Sequence, residues 1–310
     1  MKIPFKNSTR LIVTYLITIA IFLVLFKHIP ISNVISGLKN TNPILISFAL
    51  VISFLSNIII TSLRYKLIIK HLGKNLSLFE SMQIKGGCSV FKTLLPARAG
   101  EFISMEYLKR NGDFAYSDSF FAIVAEYILN VLALIIFILL GIVLFCLGLN
   151  CQLAQNFSRR ATFFVLSLNH PIHENKDNLI NKLSQNFKKY YIKFKELCGY
   201  RSIIICTILC MGAEVINFYL LSRALNVPIP LNTVLRLVPL SLLISSLPIT
   251  LGGLGIRECT ILFLFKSYAS AESLLAVGVL YSFVENIFPL LINCSFTGFF
   301  IKNMFRGKIS

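Results

Sequence analysis

Predominantly apolar runs long enough to cross a bilayer constrain this chain more than any other feature. The longest extends from Phe120 to Leu149, and another from Leu11 to Ile29 follows three basic residues. About 20 helical residues, each rising ~1.5 Å, cover the ~30 Å hydrocarbon core of a membrane. Because 56% of the 310 residues are hydrophobic and 14% are charged, a soluble domain could not bury the apolar surface. We therefore expect an all-α fold, a polytopic integral membrane helical bundle.

The charge balance is strongly basic, with 30 Lys and Arg residues against 13 Asp and Glu residues and a formal net charge of +17. The basic residues concentrate in segments beside the apolar runs, and no aromatic and basic surface of the kind that binds nucleic acid is evident. This pattern is typical of positive-inside topology and of contact with anionic lipid. We expect cytoplasmic termini and no nucleic-acid partner. Lys2, Lys6 and Arg10 precede the first span, and Lys302, Arg306 and Lys308 follow the last.

The stretch from Leu247 to Glu258, Leu-Pro-Ile-Thr-Leu-Gly-Gly-Leu-Gly-Ile-Arg-Glu, interrupts the apolar pattern of the second half. Proline and glycine end a helix there, and irregular backbone at membrane depth is tolerated only against protein or a watery cavity. A new helix should begin near Gly255, with amides that suit an anion, a charge from Arg257, and Glu258 as partner of that arginine or as proton carrier. The alternative is a tight surface loop in which Glu258 caps the first turn. The structural residues are Pro248, Gly252, Gly253 and Gly255.

A related stretch lies in the first half, from Leu94 to Glu101, where Pro96, Arg98 and Gly100 precede an acid. Two Pro- or Gly-interrupted apolar segments in corresponding halves indicate a transport site built from broken helices. Chance similarity of two short loops is the alternative, because their spacings differ. The candidate binding residues from both motifs are Arg98, Glu101, Arg257 and Glu258.

The second apolar span, from about Ile44 to Ile69, has a stripe of polar residues spaced by four, four and three positions. This spacing puts them on one helix face, which should point at other helices rather than at lipid. Arg64 ends the stripe, and the basic residues that follow it favour an anchor at the level of the lipid headgroups. The stripe comprises Ser53, Asn57, Thr61 and Arg64.

Three further spans place a carboxylate close to an amide at membrane depth. The pairs are Glu126 with Asn130, Glu214 with Asn217, and Glu285 with Asn286. Ionisable groups within a bilayer are costly unless paired and indicate a functional site. If these faces converge, they line a hydrophilic path through an apolar shell. The alternative is structural, with amides and hydroxyls each contributing about 0.6 kcal/mol to helix packing and Glu126 protonated. Glu126, Glu214, Glu285 and Asn286 join the candidate binding residues.

We expect a single membrane domain over residues 1–310, with helical blocks at 1–174 and 201–310. The basic segment between them, 175–200, is either an amphipathic helix on an anionic membrane surface or a solvated linker. The stretch from Leu78 to Arg110 is too interrupted for a clean span and predicts a pair of short re-entrant or interfacial helices. Basic residues flank the Phe120 run on both sides and require two crossings. Two short helices are therefore one interpretation of that run.

Two strings resemble motifs of the flippase-like membrane domain of lysylphosphatidylglycerol synthases and its stand-alone relatives: Leu-Pro-Ala-Arg-Ala-Gly-Glu at Leu95–Glu101 and Gly-Gly-Leu-Gly-Ile-Arg-Glu at Gly252–Glu258. The resemblance covers nearly the whole chain. It implies an inner (plasma) membrane protein of about eight spans with re-entrant helices, which handles lipids or lipid-linked molecules. The family often has an Arg shortly after the first Glu and a Pro before the paired glycines, where Phe102–Met105 and Leu251 stand here. The matching positions are Pro96, Arg98, Gly100, Glu101, Gly252, Gly253, Gly255, Arg257 and Glu258.

Together these features favour a lipid translocase-like protein for an anionic phospholipid or a polyprenyl-linked headgroup. Transport would be passive or ion-coupled, because no nucleotide-binding motif appears. One alternative is a non-transporting partner subunit of a cell-envelope lipid synthase or glycosyltransferase. Another is a membrane lipid-modifying transferase, although no His, Ser or Cys constellation accompanies the acids. The chain ends at Ser310 without the soluble transferase domain of the full synthases, and its scattered cysteines lack metal-ligand spacing. We therefore expect no catalysis, cofactor or metal.

Overall fold

A computed structural model of the chain describes residues 41–94, 100–112, 114–148, 194, 196–197, 199–246, 250 and 253–306. Over these ranges the chain is all-α, with eight helices and no strand, which confirms the expected helical bundle. The first and last helices each contain one π-helical turn, at Leu55–Ile60 and Phe283–Ile287. In chain order the helices are α1 (Pro43–His71), α2 (Leu78–Leu94), α3 (Gly100–Gly112), α4 (Tyr116–Gly148), α5 (Arg201–Ala224), α6 (Leu231–Ser245), α7 (Ile256–Phe265) and α8, which comprises Ala271–Ser282, its π turn and Phe288–Arg306.

Four helices in the described part of the chain are long and apolar enough to cross a membrane. They are Pro43–His71, Tyr116–Leu144, Arg201–Ala224 and Ala271–Lys302. Large apolar side chains cover their outer faces: Ile44 is 64% exposed and Leu139 is 56% exposed. A lipid environment accommodates such a surface, whereas water does not. The total of about eight spans stays a prediction, because the run from Leu11 to Ile29 lies outside the described residues.

Local sequence explains where two of the polar-faced helices, α1 and α8, begin. Pro43 occupies the first helical position of α1, and the Ile44 amide donates to Oδ1 of Asn42 at 3.0 Å. Proline needs no amide partner there, and an Asn cap satisfies one of the free helix donors. Ser270 caps α8 in the same way, through the Ser273 amide. These caps fix the register that turns the polar face of each helix inward.

Two apolar clusters hold the bundle together, and the polar residues lie between them. On α1, Ala49 belongs to one cluster and Tyr65 to the other. On α8, Val284 belongs to the same cluster as Ala49, and Phe300 belongs to the same cluster as Tyr65. Burial of each large apolar side chain stabilises the packed state by about 1.5–3 kcal/mol relative to exposure in water. The polar stripe of α1 and the acidic turn of α8 therefore lie in a layer flanked by apolar packing.

Close contact between α2 and α8 depends on glycine. A Cβ on Gly87 would lie 2.5 Å from the Phe300 side chain, and one on Gly86 would lie 2.9 Å from Oδ1 of Asn293. Only a residue without a side chain permits this approach. As a result, α2 packs directly against the second half of α8.

The structure corrects one expectation and confirms another in the first block. The run from Phe120 forms one helix, Tyr116–Gly148, rather than two short ones. No Pro interrupts it, so nothing in its sequence ends the helix early. The Leu78 to Arg110 stretch does form two shorter helices, α2 and α3. The basic segment 175–200 lies almost wholly outside the described residues, and its role stays a prediction.

Candidate functional site

A cavity of about 270 Å³ lies among α1, α2, α3, α4, α5 and α8. Its walls include three cations and four carboxylates from the described residues, together with several amides and hydroxyls. Five of the eight candidate binding residues that the sequence singled out line it. These are Glu101, Glu126, Glu214, Glu285 and Asn286. The convergence of polar faces predicted from the separate spans is therefore observed.

Glu126 on α4 lies between two cations of the cavity wall, Arg64 and Lys85, which begin its cationic region. Its Oε2 accepts from Nζ of Lys85 at 2.6 Å, and its Oε1 lies 3.7 Å from Nη2 of Arg64. Arg64 also donates from Nη1 to Oδ1 of Asn130 at 2.7 Å. The expected headgroup-level anchor at Arg64 is wrong, because this side chain is only 4% exposed. Glu126 and Asn130 lie at the same depth and partner two of its three nitrogens, so the guanidinium need not reach the membrane surface.

The cationic region of the cavity wall also includes Lys92, which forms an ion pair with Glu101. Nζ of Lys92 lies 3.1 Å from Oε1 of Glu101, which also accepts from the Tyr127 hydroxyl at 2.8 Å. Glu101 is in the first turn of α3, outside the four membrane-length helices. Burial raises the pKa of the Glu101 carboxyl, but Lys92, Lys85 and the Tyr127 hydrogen bond outweigh burial and hold that pKa below its ordinary value. Glu101 is therefore a charged partner of lysine at neutral pH.

The opposite wall of the cavity is acidic. Glu285, in the π turn of α8, accepts from Nδ2 of Asn57 at 2.8 Å and from Nδ2 of Asn217 at 2.5 Å. Glu214 lies one helical turn before Asn217 on α5 and also lines the cavity. Asn286 follows Glu285, and its Nδ2 is buried without a hydrogen-bond partner. Neither glutamate forms an ion pair with a residue in the described ranges, in contrast to Glu101 and Glu126.

The glycine-rich motif begins a helix as expected, but its carboxylate has a different partner. Gly255 has a positive φ of 86° and precedes α7. Oε2 of Glu258 accepts from the Gly255 amide at 2.6 Å, and Oε1 accepts from the Ser282 hydroxyl at 2.5 Å. The interpretation of Glu258 as the partner of Arg257 is therefore wrong. A Glu at the third helical position can reach back to the cap amide, and here it does so.

Arg257 lies behind the cavity wall and forms no ion pair with a described residue. The residue is 9% exposed, and its Nε and Nη1 have no hydrogen-bond partner in the described ranges. Its guanidinium lies 5.3 Å from the centre of the ring of Tyr281. Tyr281 lies one helical turn before Glu285 on α8. Leu254, from the same motif, reaches the cavity wall. The motif thus supports the acidic wall rather than forming it.

Some predicted residues cannot be placed, and two important residues were missed. Pro96, Arg98, Pro248 and Gly252 lie outside the described residues. Gly100 and Gly253 are described, and a Cβ on either would collide with neighbouring backbone. The missed residues are Lys85 and Lys92. Their signal was present, because Ser81, Lys85, Ser89 and Lys92 follow the same four, four and three spacing that identified the α1 stripe.

Comparison with known proteins agrees with this architecture. Residues 11–292 match the family model described as the lysylphosphatidylglycerol synthase TM region. A search of curated proteins found no match. The family match covers most of the chain and links it to lipid handling in a membrane. The chain belongs to the lysylphosphatidylglycerol synthase transmembrane-region family.

Proposed function

We propose that this protein translocates the headgroup of a phospholipid or lipid-linked molecule through the cavity between its helices. The observation that carries the proposal is a charged cavity enclosed by helices of membrane length. Charged groups in a bilayer face a bundle interior or a watery space, and mark substrate pathways. Acyl chains would remain against the exposed apolar faces while the headgroup passes inside.

The cationic region suits the phosphate of such a headgroup. Arg64, Lys85 and Lys92 together have one more charge than the two carboxylates that pair with them, Glu101 and Glu126. Charge-assisted hydrogen bonds from Arg and Lys to phosphate are among the strongest in proteins. An incoming phosphate can therefore share these cations with the carboxylates already present.

The cavity volume is of the right order for a headgroup. A space of about 270 Å³ lies near the lower end of the roughly 300–1,000 Å³ range of small-molecule sites. A phosphate with a short polar substituent suits a space of this size, and the acyl chains have no reason to leave the lipid. We place the protein in the plasma membrane with cytoplasmic termini, in keeping with the distribution of basic residues.

The test is a flip assay in proteoliposomes that contain headgroup-labelled phosphatidylglycerol. Wild-type protein should make inner-leaflet label accessible from outside faster than protein-free vesicles do. Lys85→Gln should slow this movement, because one phosphate partner is removed. Lys266→Gln, at an exposed position away from the cavity, is the matched control and should behave as wild type.

Movement no faster than in protein-free vesicles would contradict the proposal. If the protein then also co-purified with a membrane synthase or glycosyltransferase, the partner-subunit function would replace it. Conversion of the labelled lipid into a new species would instead reveal a transferase. Lysyl or other aminoacyl lipids can be compared with phosphatidylglycerol in the same vesicles to define headgroup preference.

A further inference from the structure

The two acids of the α5 and α8 wall differ from the other cavity acids. Glu126 faces two cations and Glu101 faces Lys92. Glu285 has only amide donors, and Glu214 has no side-chain hydrogen bond within the described ranges. Two carboxylates that interact electrostatically in a low-dielectric site resist ionising together. Of the cavity acids described, this pair therefore takes up a proton most readily.

A buried orphan acceptor lies against the same pair. Asn217 is fully buried, and while its Nδ2 donates to Glu285, its Oδ1 has no donor among the residues that the structure describes. An unsatisfied buried acceptor costs about 1–3 kcal/mol. A carboxylic acid O–H in this cluster could supply the missing donor, whereas an ionised carboxylate could not. A protonated acid in this cluster is one donor that would satisfy the orphan oxygen.

Charge balance indicates when the proton binds. Within the described residues, four cations in and directly behind the cavity accompany four carboxylates: Arg64, Lys85, Lys92 and Arg257 against Glu101, Glu126, Glu214 and Glu285. The charge of Glu258 is held separately by the Gly255 amide and Ser282. An arriving phosphate adds a negative charge, and an uncompensated charge in such a site is strongly unfavourable.

We propose that Glu214 and Glu285 form a proton-binding pair, which takes up one proton when an anionic lipid headgroup enters the cavity. A proton from water adds to one carboxylate oxygen and converts that carboxylate to a neutral acid. The groups that face the pair are Arg257 on α7, Arg64 on α1, Lys92 on α2 and Tyr281 on α8. The coupling to lipid rests on the proposed function, but proton binding by the pair does not.

Proton binding can be measured without any transport assay. Infrared spectra of the purified full chain in phosphatidylglycerol nanodiscs should show a carboxylic acid C=O band that titrates with pH. Glu214→Gln should remove or shift this band, and Glu285→Gln should do the same. Glu214 makes no hydrogen bond within the described part, so its variant should fold even if Glu285→Gln does not. Glu272→Gln, in the first turn of α8 and outside the cavity wall, should retain the band. Identical titrations in wild type and Glu214→Gln would overturn the proton site.

Coupling is tested with a pH gradient across the proteoliposome membrane. For one proton per headgroup, a gradient of one pH unit should drive about a tenfold accumulation of labelled phosphatidylglycerol in the leaflet on the alkaline side. Glu214→Gln should lose this accumulation, and Glu272→Gln should keep it. Flipping without any accumulation in response to the pH gradient would overturn the coupling and leave the proposed function standing. Proton titration without any flipping would overturn the proposed function and leave the proton site standing.

Discussion

Asn57 donates from Nδ2 to Oε2 of Glu285 at 2.8 Å, and this bond joins the π-helical turns of α1 and α8. A π turn adds a residue to the helix and breaks the regular hydrogen-bond ladder, which is why such turns are frequent at functional sites. Both turns lie in the polar layer between the apolar clusters. The acidic wall of the cavity is therefore built where two polar-faced helices, α1 and α8, are locally irregular.

The first prediction concerns Asn217, whose side-chain amide donates to the other carboxylate oxygen of Glu285. Asn217→Ala should lower the free energy of unfolding by about 1–3 kcal/mol, because a buried carboxylate oxygen loses its donor. Thermal unfolding of the detergent-solubilised protein measures the effect. Ile216→Ala, at the neighbouring lipid-facing position, should change stability far less. Equal effects at both positions would show that the hydrogen bond contributes nothing specific.

The second prediction concerns the shared partner of Arg64 and Lys85. Because both cations contact Glu126, either one alone can partly compensate its charge. The double substitution Arg64→Met with Lys85→Met should therefore destabilise the protein by more than the two single changes together, with a coupling energy of about 0.5–3 kcal/mol. Denaturation of the four proteins of this cycle gives the coupling. If the two single changes in the free energy of unfolding simply added up in the double variant, the shared ion pair would be contradicted.

The third prediction concerns the close approach of α2 and α8. Gly87→Ala should cost about 1–3 kcal/mol through overpacking, because the added methyl group meets Phe300. Gly298→Ala on α8 is the matched control, since its added methyl group has open space. Thermal unfolding should separate the two variants clearly. A Gly87→Ala protein as stable as Gly298→Ala would mean that the helices can move apart freely.

The fourth prediction separates function from stability at Arg257. Its Nε and Nη1 have no hydrogen-bond partner among the described residues, so Arg257→Ala should leave the unfolding temperature unchanged or raise it. Loss of its charge from behind the acidic wall, where it faces Glu214 and Glu285, should nevertheless slow lipid flipping about tenfold, which corresponds to roughly 1.4 kcal/mol of electrostatic stabilisation. Arg223→Ala, at the exposed end of α5, is the control for both measurements. Unchanged flipping would remove Arg257 from the mechanism.

The spacing of polar residues and the positions of proline and glycine were sufficient to predict much of this architecture. The Ser53 to Thr61 stripe, the new helix after Gly255 and the convergence of Glu126, Glu214 and Glu285 all follow from spacing and from the cost of charge in a bilayer. These inferences hold because each depends on one helix or on a general property of the solvent.

The expectations that proved wrong depend on partners from elsewhere in the chain. Arg64 is buried because Glu126 and Asn130, on another helix, lie at its depth. Glu258 serves its own helix cap because Ser282 approaches from α8. Lys85 and Lys92 lie in a mixed segment whose burial depends on Gly87 and α8. Local sequence does not specify which of two competing partners a side chain will meet.

The most direct test of the central claim is site-specific crosslinking of lipid inside the cavity. A benzophenone amino acid at Tyr127, which lines the cavity, should crosslink to phospholipid headgroups when the protein is irradiated in phosphatidylglycerol membranes. The same amino acid at Leu139, on the lipid-facing side of α4, should crosslink to acyl chains only, as mass spectrometry of the adducts would show. Absence of headgroup adducts at position 127, with normal acyl adducts at position 139, would contradict passage of a headgroup through this cavity.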